Sequence, residues 1–282
     1  MEIKKVGVVG CGAMGSGITQ VSAQAGYQVT VREISDEFLN RGLGGIRSGL
    51  ERQVERGRMT AADKDATLGR IKGTTRLDDL AESDLVIEAA VEEIEPKRAI
   101  FGALDKLCPP TAILATNTSS LTVIQMAAAT KRPEMVLGLH FFNPVPVMKL
   151  VEIVKTIVTS DEVVETGRKF VESVGKTPVF AKDQPGFISN RLLAPYLIDA
   201  IRVYEAGLGT AEDIDQTMVL GCNHPMGPLT LADFIGLDVL MHIAESLHAE
   251  LAEPRFAPPP LLKRMVMAGH LGRKTKRGFY TY

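Results

Sequence analysis

Tryptophan is absent from this 282-residue chain, aromatic residues make up 5% of it, and only three cysteines occur. Cys11, Cys108 and Cys222 are odd in number and widely spaced, which excludes a fully paired disulfide framework and matches no zinc-ligand spacing. Free thiols and no metal are expected. No stretch approaches the ~20 consecutive apolar residues of a membrane span. The start, "MEIKKVGVVG", runs into a glycine turn and not into the long apolar region and cleavage site of an export signal. Excess positive charge is lacking too: a formal net charge of -2 is not that of a general nucleic-acid binder. The expectation is a soluble, cytoplasmic protein with no membrane or nucleic-acid partner. With 45% hydrophobic residues and this length, it can bury one large core or two smaller ones.

What is present is an alternation of short β-rich runs with helix-length segments up to about residue 180, the pattern of a mostly parallel sheet with crossover helices. The expected strands are Lys4–Val9, Gln28–Glu33, Leu85–Glu88, Ala112–Thr116, Met135–Phe141, Met148–Val154 and Pro178–Ala181. Strand signals stop after "KDQPG". From Phe187 onward the chain reads as helical, with Thr210 to Asp213 resembling a capping box. The expected organisation is an α/β domain over 1–184 and an all-α domain over 185–282. The second is short and rich in Leu, Ile and Met, so its apolar faces are expected to pack on a second subunit, or else on the first domain alone.

The segment "VGVVGCGAMGSG" holds Gly10-x-Gly12-x-x-Gly15 between a strand and a helix. Chemistry explains the spacing: the first glycine permits a tight turn, the second lets backbone approach a pyrophosphate, and the third lets helix and strand pack closely. The helix N-terminus then faces the phosphates. Gly10, Gly12, Ala13, Met14 and Gly15 are therefore expected to cradle a dinucleotide in a Rossmann-type domain. Glu33, at the end of the next strand, suits the ribose hydroxyls and repels a 2′-phosphate, which favours NAD over NADP. Arg32 could accept that phosphate, but strand alternation sends it to the opposite face.

One of the five histidines, His140, ends the apolar run of "GLHFFNP", where ligands of open α/β sheets sit. In the next strand Glu152 shares a face with Met148, Leu150 and Val154, and a carboxylate in such company needs a partner. The Asn143-Pro144 turn can lay the two strands side by side. Glu152 would then accept the imidazole Nδ1–H and leave Nε2 to exchange a proton; a purely structural partner for Glu152 is the alternative. Thr116-Asn117-Thr118-Ser119-Ser120 follows another strand, with Ser120 read as a helix cap and Ser119 as a hydroxyl at the mouth of the sheet. Asn190 interrupts a helical stripe of Phe187, Ala194, Leu197 and Ile201. It either binds a substrate oxygen or makes an interdomain hydrogen bond.

With these residues in hand, the chain resembles the short-chain L-3-hydroxyacyl-CoA dehydrogenases, most closely the bacterial enzymes acting on 3-hydroxybutyryl-CoA. The likeness runs through "GCGAMGSGI", "DLVIEAAVE", "TNTSSL", "HFFNPVPVMKLVE", "PGFISNRLL", "NHPMGPLTLADFIGLD" and "GRKTKRGFY". It implies NAD-linked interconversion of (S)-3-hydroxyacyl-CoA and 3-oxoacyl-CoA. His140 is implied as base and Glu152 as its orienting acid, with Ser119 and Asn190 at the substrate. Glu92, Lys97 and Asn143 are implied on the cofactor side; Asn117, in the loop before Ser119, is a further cofactor-site candidate, and the apolar C-terminal helices make a homodimer the expected assembly. Where the family usually has Asp, this chain has Glu33. The segment 35–58 matches a helical arm over coenzyme A, which makes Arg52 and Arg56 candidates for its phosphates; a solvated face with an Arg47–Glu51 pair is the alternative. Two other functions stay open: a dehydrogenase of free 3-hydroxy acids or sugar acids on the same architecture, and a dinucleotide-binding structural or regulatory protein without turnover.

Overall fold

A computed structural model describes all 282 residues. The chain divides into two compact units, Met1–Gln184 and Pro185–Tyr282. The first is built on one eight-stranded sheet. Its strands are β1 (Lys5–Val9), β2 (Gln28–Arg32), β3 (Ile71–Thr74), β4 (Leu85–Glu88), β5 (Ile113–Thr116), β6 (Val136–Phe141), β7 (Leu150–Lys155) and β8 (Thr177–Lys182). Their order is β3-β2-β1-β4-β5-β6-β7-β8, and every neighbouring pair is parallel except β6 and β7. The order reverses between β1 and β4, where a doubly wound sheet opens its ligand crevice.

The helices of this unit are α1 (Ala13–Gln24), α2 (Asp36–Glu55), α3 (Ala61–Gly69), α4 (Ile94–Leu107), α5 (Val123–Ala127) and α6 (Asp161–Ser173). The central strands β4, β5 and β6 are mainly apolar and buried along their whole length, as in a parallel sheet covered by helices. Val8, Val31, Ile87, Leu137 and Ile153 belong to the core so formed. Each such side chain contributes roughly 1.5–3 kcal/mol by leaving water.

The seven expected strands are present, Leu85–Glu88 with its expected bounds and the others with ends displaced by at most two residues. The eighth, β3, was not expected: its sequence Ile-Lys-Gly-Thr is short and carries a lysine and a glycine, as an edge strand can. Met148 lies outside β7 and is exposed, so the apolar face around Glu152 begins at Leu150.

The second unit consists of α7 (Ser189–Glu205), α8 (Ala211–Gln216), α9 (Pro228–Ile235), α10 (Leu237–Leu251) and α11 (Pro260–Met267), packed around Leu197, Ile201, Leu229, Leu247 and Phe256. Thr210 and Asp213 form the capping box at the start of α8. α7 runs through Pro195, with Ala194, Leu197 and Ile201 buried. Phe187, however, precedes the helix at φ 46°, so it is not part of the helical stripe that contains Asn190.

Candidate active site

The glycine loop has the shape its spacing requires. Gly10 has φ +97°, and a Cβ there would lie 2.5 Å from the Ala89 carbonyl oxygen. A Cβ on Gly15 would fall 1.9 Å from the Gly10 oxygen, so helix α1 can approach β1 only without one. Gly12 faces open space and is the N-cap of α1, with no side chain capping the helix. The first-turn amides at Ala13 and Met14 thus lie behind a surface that phosphate oxygens can reach, and a side chain at Gly12 would fill it.

Glu33 is held against this loop by two backbone amides. Its Oε2 accepts from Cys11 N and its Oε1 from Ile34 N, each at 2.7 Å. A cavity of about 280 Å³ opens here between Gly12, Ala13, Glu33, Phe38, Arg41 and Gly45. Arg41 is tied to Glu37 at 2.8 Å and lies over the Phe38 ring, while Arg32 does not line the cavity. Helix α2 is packed on the loop, since a Cβ on Gly42 would meet the Cys11 carbonyl oxygen at 2.2 Å. The loop, the uncapped helix and the fixed carboxylate together fit an adenine dinucleotide.

His140 and Glu152 stand directly opposite each other in the antiparallel pair β6–β7. Their side chains meet at 2.7 Å between Nδ1 and Oε2, with His140 6% and Glu152 1% exposed. With the carboxylate as acceptor, the imidazole carries its hydrogen on Nδ1. The Phe142 ring lies 4.6 Å from the imidazole, centroid to centroid. Asn117, at the end of β5, accepts from Phe141 N at 2.9 Å and so ties the two strand ends together.

The loop carrying Ser119 is held by Glu92. Its Oε1 accepts from Thr118 Oγ1 at 2.6 Å and from Ser119 N at 2.8 Å, and Ser119 Oγ lies 3.4 Å away. Its Oε2 faces Lys97 Nζ at 3.2 Å. Burial works against the Glu92 charge, yet Lys97 and the hydrogen bonds from Thr118 and Ser119 hold its pKa below the usual value. Lys97 is 1% exposed and also binds Glu88 at 2.7 Å. Glu88, 0% exposed, escaped the sequence reading because it ends an apolar strand. The available signal was an acid inside the apolar run "LVIEAA", the same signal that singled out Glu152.

Two expectations are corrected. Ser120 does not cap a helix: its amide and hydroxyl face Glu92 at 3.3 and 3.2 Å. The first amides of α5, at Val123 and Ile124, instead donate to Asp183, both at 2.7 Å. The Arg47–Glu51 pair is not formed; on α2 the ion pair is Glu37–Arg41. Arg52 and Arg56 are exposed at the end of that helix and make no ion pair. Asn143 is exposed in the turn after β6, and Asn190 is half-buried in the first turn of α7. No group of three or more His, Cys, Asp or Glu could hold a metal ion, and all three cysteines are free.

Comparison with known proteins gives the same picture over the whole length. The family model for the 3-hydroxyacyl-CoA dehydrogenase NAD binding domain matches residues 5–184, and that for the C-terminal domain of the same enzymes matches 186–282. A 3-hydroxybutyryl-CoA dehydrogenase of Mycobacterium tuberculosis is 51% identical over 282 residues, 99% of either chain. The crystal structure of M. tuberculosis FadB2 superposes with a TM-score of 0.98 at 50% identity, covering 100% of both chains. That of (S)-3-hydroxybutyryl-CoA dehydrogenase PaaH1 from Ralstonia eutropha gives 0.96 at 44% identity, over 100% of this chain and 99% of that one. Two domain models that together span residues 5–184 and 186–282, and a relative 51% identical over 99% of the chain, lead to one assignment: the chain belongs to the 3-hydroxyacyl-CoA dehydrogenase family.

Proposed function

We propose that this enzyme interconverts (S)-3-hydroxybutyryl-CoA and acetoacetyl-CoA, with His140 as the acid–base group and NAD(H) as the redox partner. The observation that carries the reading is the 2.7 Å contact between buried His140 and Glu152 at the carboxyl end of β6. A bound nicotinamide supplies the hydride acceptor at its C4. Glu152 holds the imidazole by Nδ1–H, so Nε2 takes the proton of the substrate 3-hydroxyl during oxidation and returns it during reduction. Glu152 also stabilises the imidazolium as it forms. Oxidation needs His140 neutral and reduction needs it protonated, so the two directions have opposite pH preferences. Ser119 and Asn190 hold substrate oxygens, and Glu92 keeps the Ser119 loop in place. Lys97, Asn117 and Asn143 complete the nicotinamide side of the site.

The cofactor of this reading is NAD and not NADP; what supports that choice is the Glu33 carboxylate, clamped by two amides just after β2, whose charge repels a 2′-phosphate. Arg52 and Arg56, exposed and without an ion pair, meet the phosphates of coenzyme A. The helical unit joins two copies into a cytoplasmic homodimer. Support for that association comes from Leu192, Leu208 and Leu220, which stand 70%, 74% and 80% exposed.

The test is a steady-state panel: acetoacetyl-CoA, longer 3-oxoacyl-CoA esters and free acetoacetate, each with NADH and with NADPH. Acetoacetyl-CoA with NADH is expected to give the highest kcat/KM, with NADPH at least about ten-fold poorer. Comparable use of free acetoacetate would move the assignment to a free-acid dehydrogenase. Absence of NADH oxidation with every substrate would leave a dinucleotide-binding protein without turnover.

A further inference from the structure

Two carboxylates and one ammonium meet at the carboxyl ends of β4 and β5, and their hydrogens can be placed from their neighbours. Thr116 Oγ1 accepts from Thr118 N at 3.2 Å, so its own proton goes to Glu88 Oε2 at 2.7 Å. Glu88 Oε1 accepts from Ala90 N and from Lys97 Nζ, both at 2.7 Å. Each of these partners is a donor, so Glu88 is an ionised acceptor. Thr118 Oγ1 accepts from the amides of Ser120 and Leu121 at 3.4 and 3.0 Å, so it donates to Glu92. The Ser119 amide and Lys97 donate to Glu92 as well. Two negative charges and one positive charge leave this cluster one unit negative. Glu88 and Lys97 are 0% and 1% exposed and the Glu92 side chain 27%, so water screens the cluster only in part.

Its place in the sheet gives that charge a use. A doubly wound sheet binds the two halves of a dinucleotide on either side of its switch point. Glu33 follows β2, which puts the adenosine half over β1–β3. The other half then belongs over β4–β6, where this cluster and His140 lie. Oxidised nicotinamide is a cation and reduced nicotinamide is neutral, while the rest of NAD+ and NADH is the same. We propose that Glu88, itself 0% exposed, sets the relative affinity for the two: the largely buried net negative charge favours NAD+ over NADH. The inference rests on the NAD(H) reading above and deepens it. One unit charge acting over roughly 10 Å at an effective dielectric near 20 changes such a ratio about ten-fold.

The experiment is calorimetric titration of the whole enzyme with NAD+ and with NADH, without substrate. In Glu88→Gln the cluster becomes neutral, and the ratio Kd(NAD+)/Kd(NADH) is expected to rise about ten-fold. Glu88→Asp keeps the charge and should keep the ratio within about two-fold. Thr116→Val removes a neutral donor to Glu88 but no charge, so its ratio should also stay within about two-fold of the wild-type value. Glu152 is unchanged throughout and cancels from the comparison. Equal weakening of both ligands in Glu88→Gln, or a ratio shifted as far in the charge-conserving Glu88→Asp or Thr116→Val, overturns the inference in favour of a purely structural Glu88. If Glu88→Gln does not fold, Glu92→Gln removes the same unit of charge from the cluster; its ratio is expected to rise likewise, and an unchanged ratio there overturns the inference. Failure of the wild-type enzyme to bind either dinucleotide would overturn the functional reading and this inference together.

Discussion

Both units bury acids, and the partners of those acids differ. In the sheet unit Glu152 faces His140, and Glu88 and Glu92 face Lys97, groups that themselves carry or exchange a proton. In the helical unit Asp215 accepts from the amides of Leu229 and Thr230 and from the hydroxyls of Thr230 and Tyr280. Asp233 accepts from the amides of Phe279 and Tyr280 and from the Tyr282 hydroxyl. A buried acid surrounded by fixed neutral donors fastens chain to chain. One paired with a titratable or cationic side chain can move a proton or set a local field. Burial alone separates the two cases poorly, since Asp233 and Glu88 are both 0% exposed.

The largest expected effects test the chemical side of this contrast. His140→Ala should lower kcat for acetoacetyl-CoA reduction by about 10³-fold or more, with NADH affinity within about three-fold of wild type. Glu152→Gln should cost about 10²-fold in kcat and displace the pH–rate profile, because the imidazolium loses its counter-charge. An unaltered profile in that variant would remove Glu152 from the catalytic pair. Next comes the architectural side. Asp233→Asn places an amide among donors already aimed at a carboxylate, and should destabilise the protein by about 2–3 kcal/mol, read from denaturant unfolding. Its kcat per folded molecule should stay within about two-fold. A matching loss of kcat would show that the fastening acid takes part in the chemistry and would break the comparison.

How much of this was legible without coordinates depends on range. The glycine loop is local: three glycines, a strand before and a helix after define it, and the observed φ and Cβ distances follow from that spacing. The His140–Glu152 contact was legible because a short turn and strand alternation carry it across one antiparallel pair. Glu88 and Lys97 are also close in sequence. The donor to the other Glu88 oxygen, Thr116, lies 28 residues away. The capping of α5 by Asp183 spans 60 residues to Val123, which is why Ser120 looked like the cap. The tail motif "GRKTKRGFY" carried a family resemblance without a physical reason until the tertiary structure supplied one. A Cβ on Gly278 would lie 1.9 Å from Asp233 Oδ1, so only glycine lets the tail reach that acid.

The smallest effects sharpen the contrast most, because the same chemical change can be made on both sides. Tyr280→Phe removes one hydroxyl that donates to Asp215 at 2.9 Å, and Thr116→Val removes one that donates to Glu88 at 2.7 Å. Each should cost on the order of 1 kcal/mol of stability. Only the second reaches the site, because the Thr116 hydroxyl also accepts from Thr118 N and thereby anchors the loop that leads to Ser119. Thr116→Val should therefore lower kcat/KM for acetoacetyl-CoA about five-fold, while leaving the NAD+ to NADH affinity ratio unchanged because Glu88 keeps its charge. Tyr280→Phe should leave kcat/KM within about two-fold of wild type. If the two variants lose stability alike and neither changes kcat/KM, the Thr116 hydroxyl is fastening and no more, and the boundary between the two kinds of buried acid lies at Lys97 and His140 themselves.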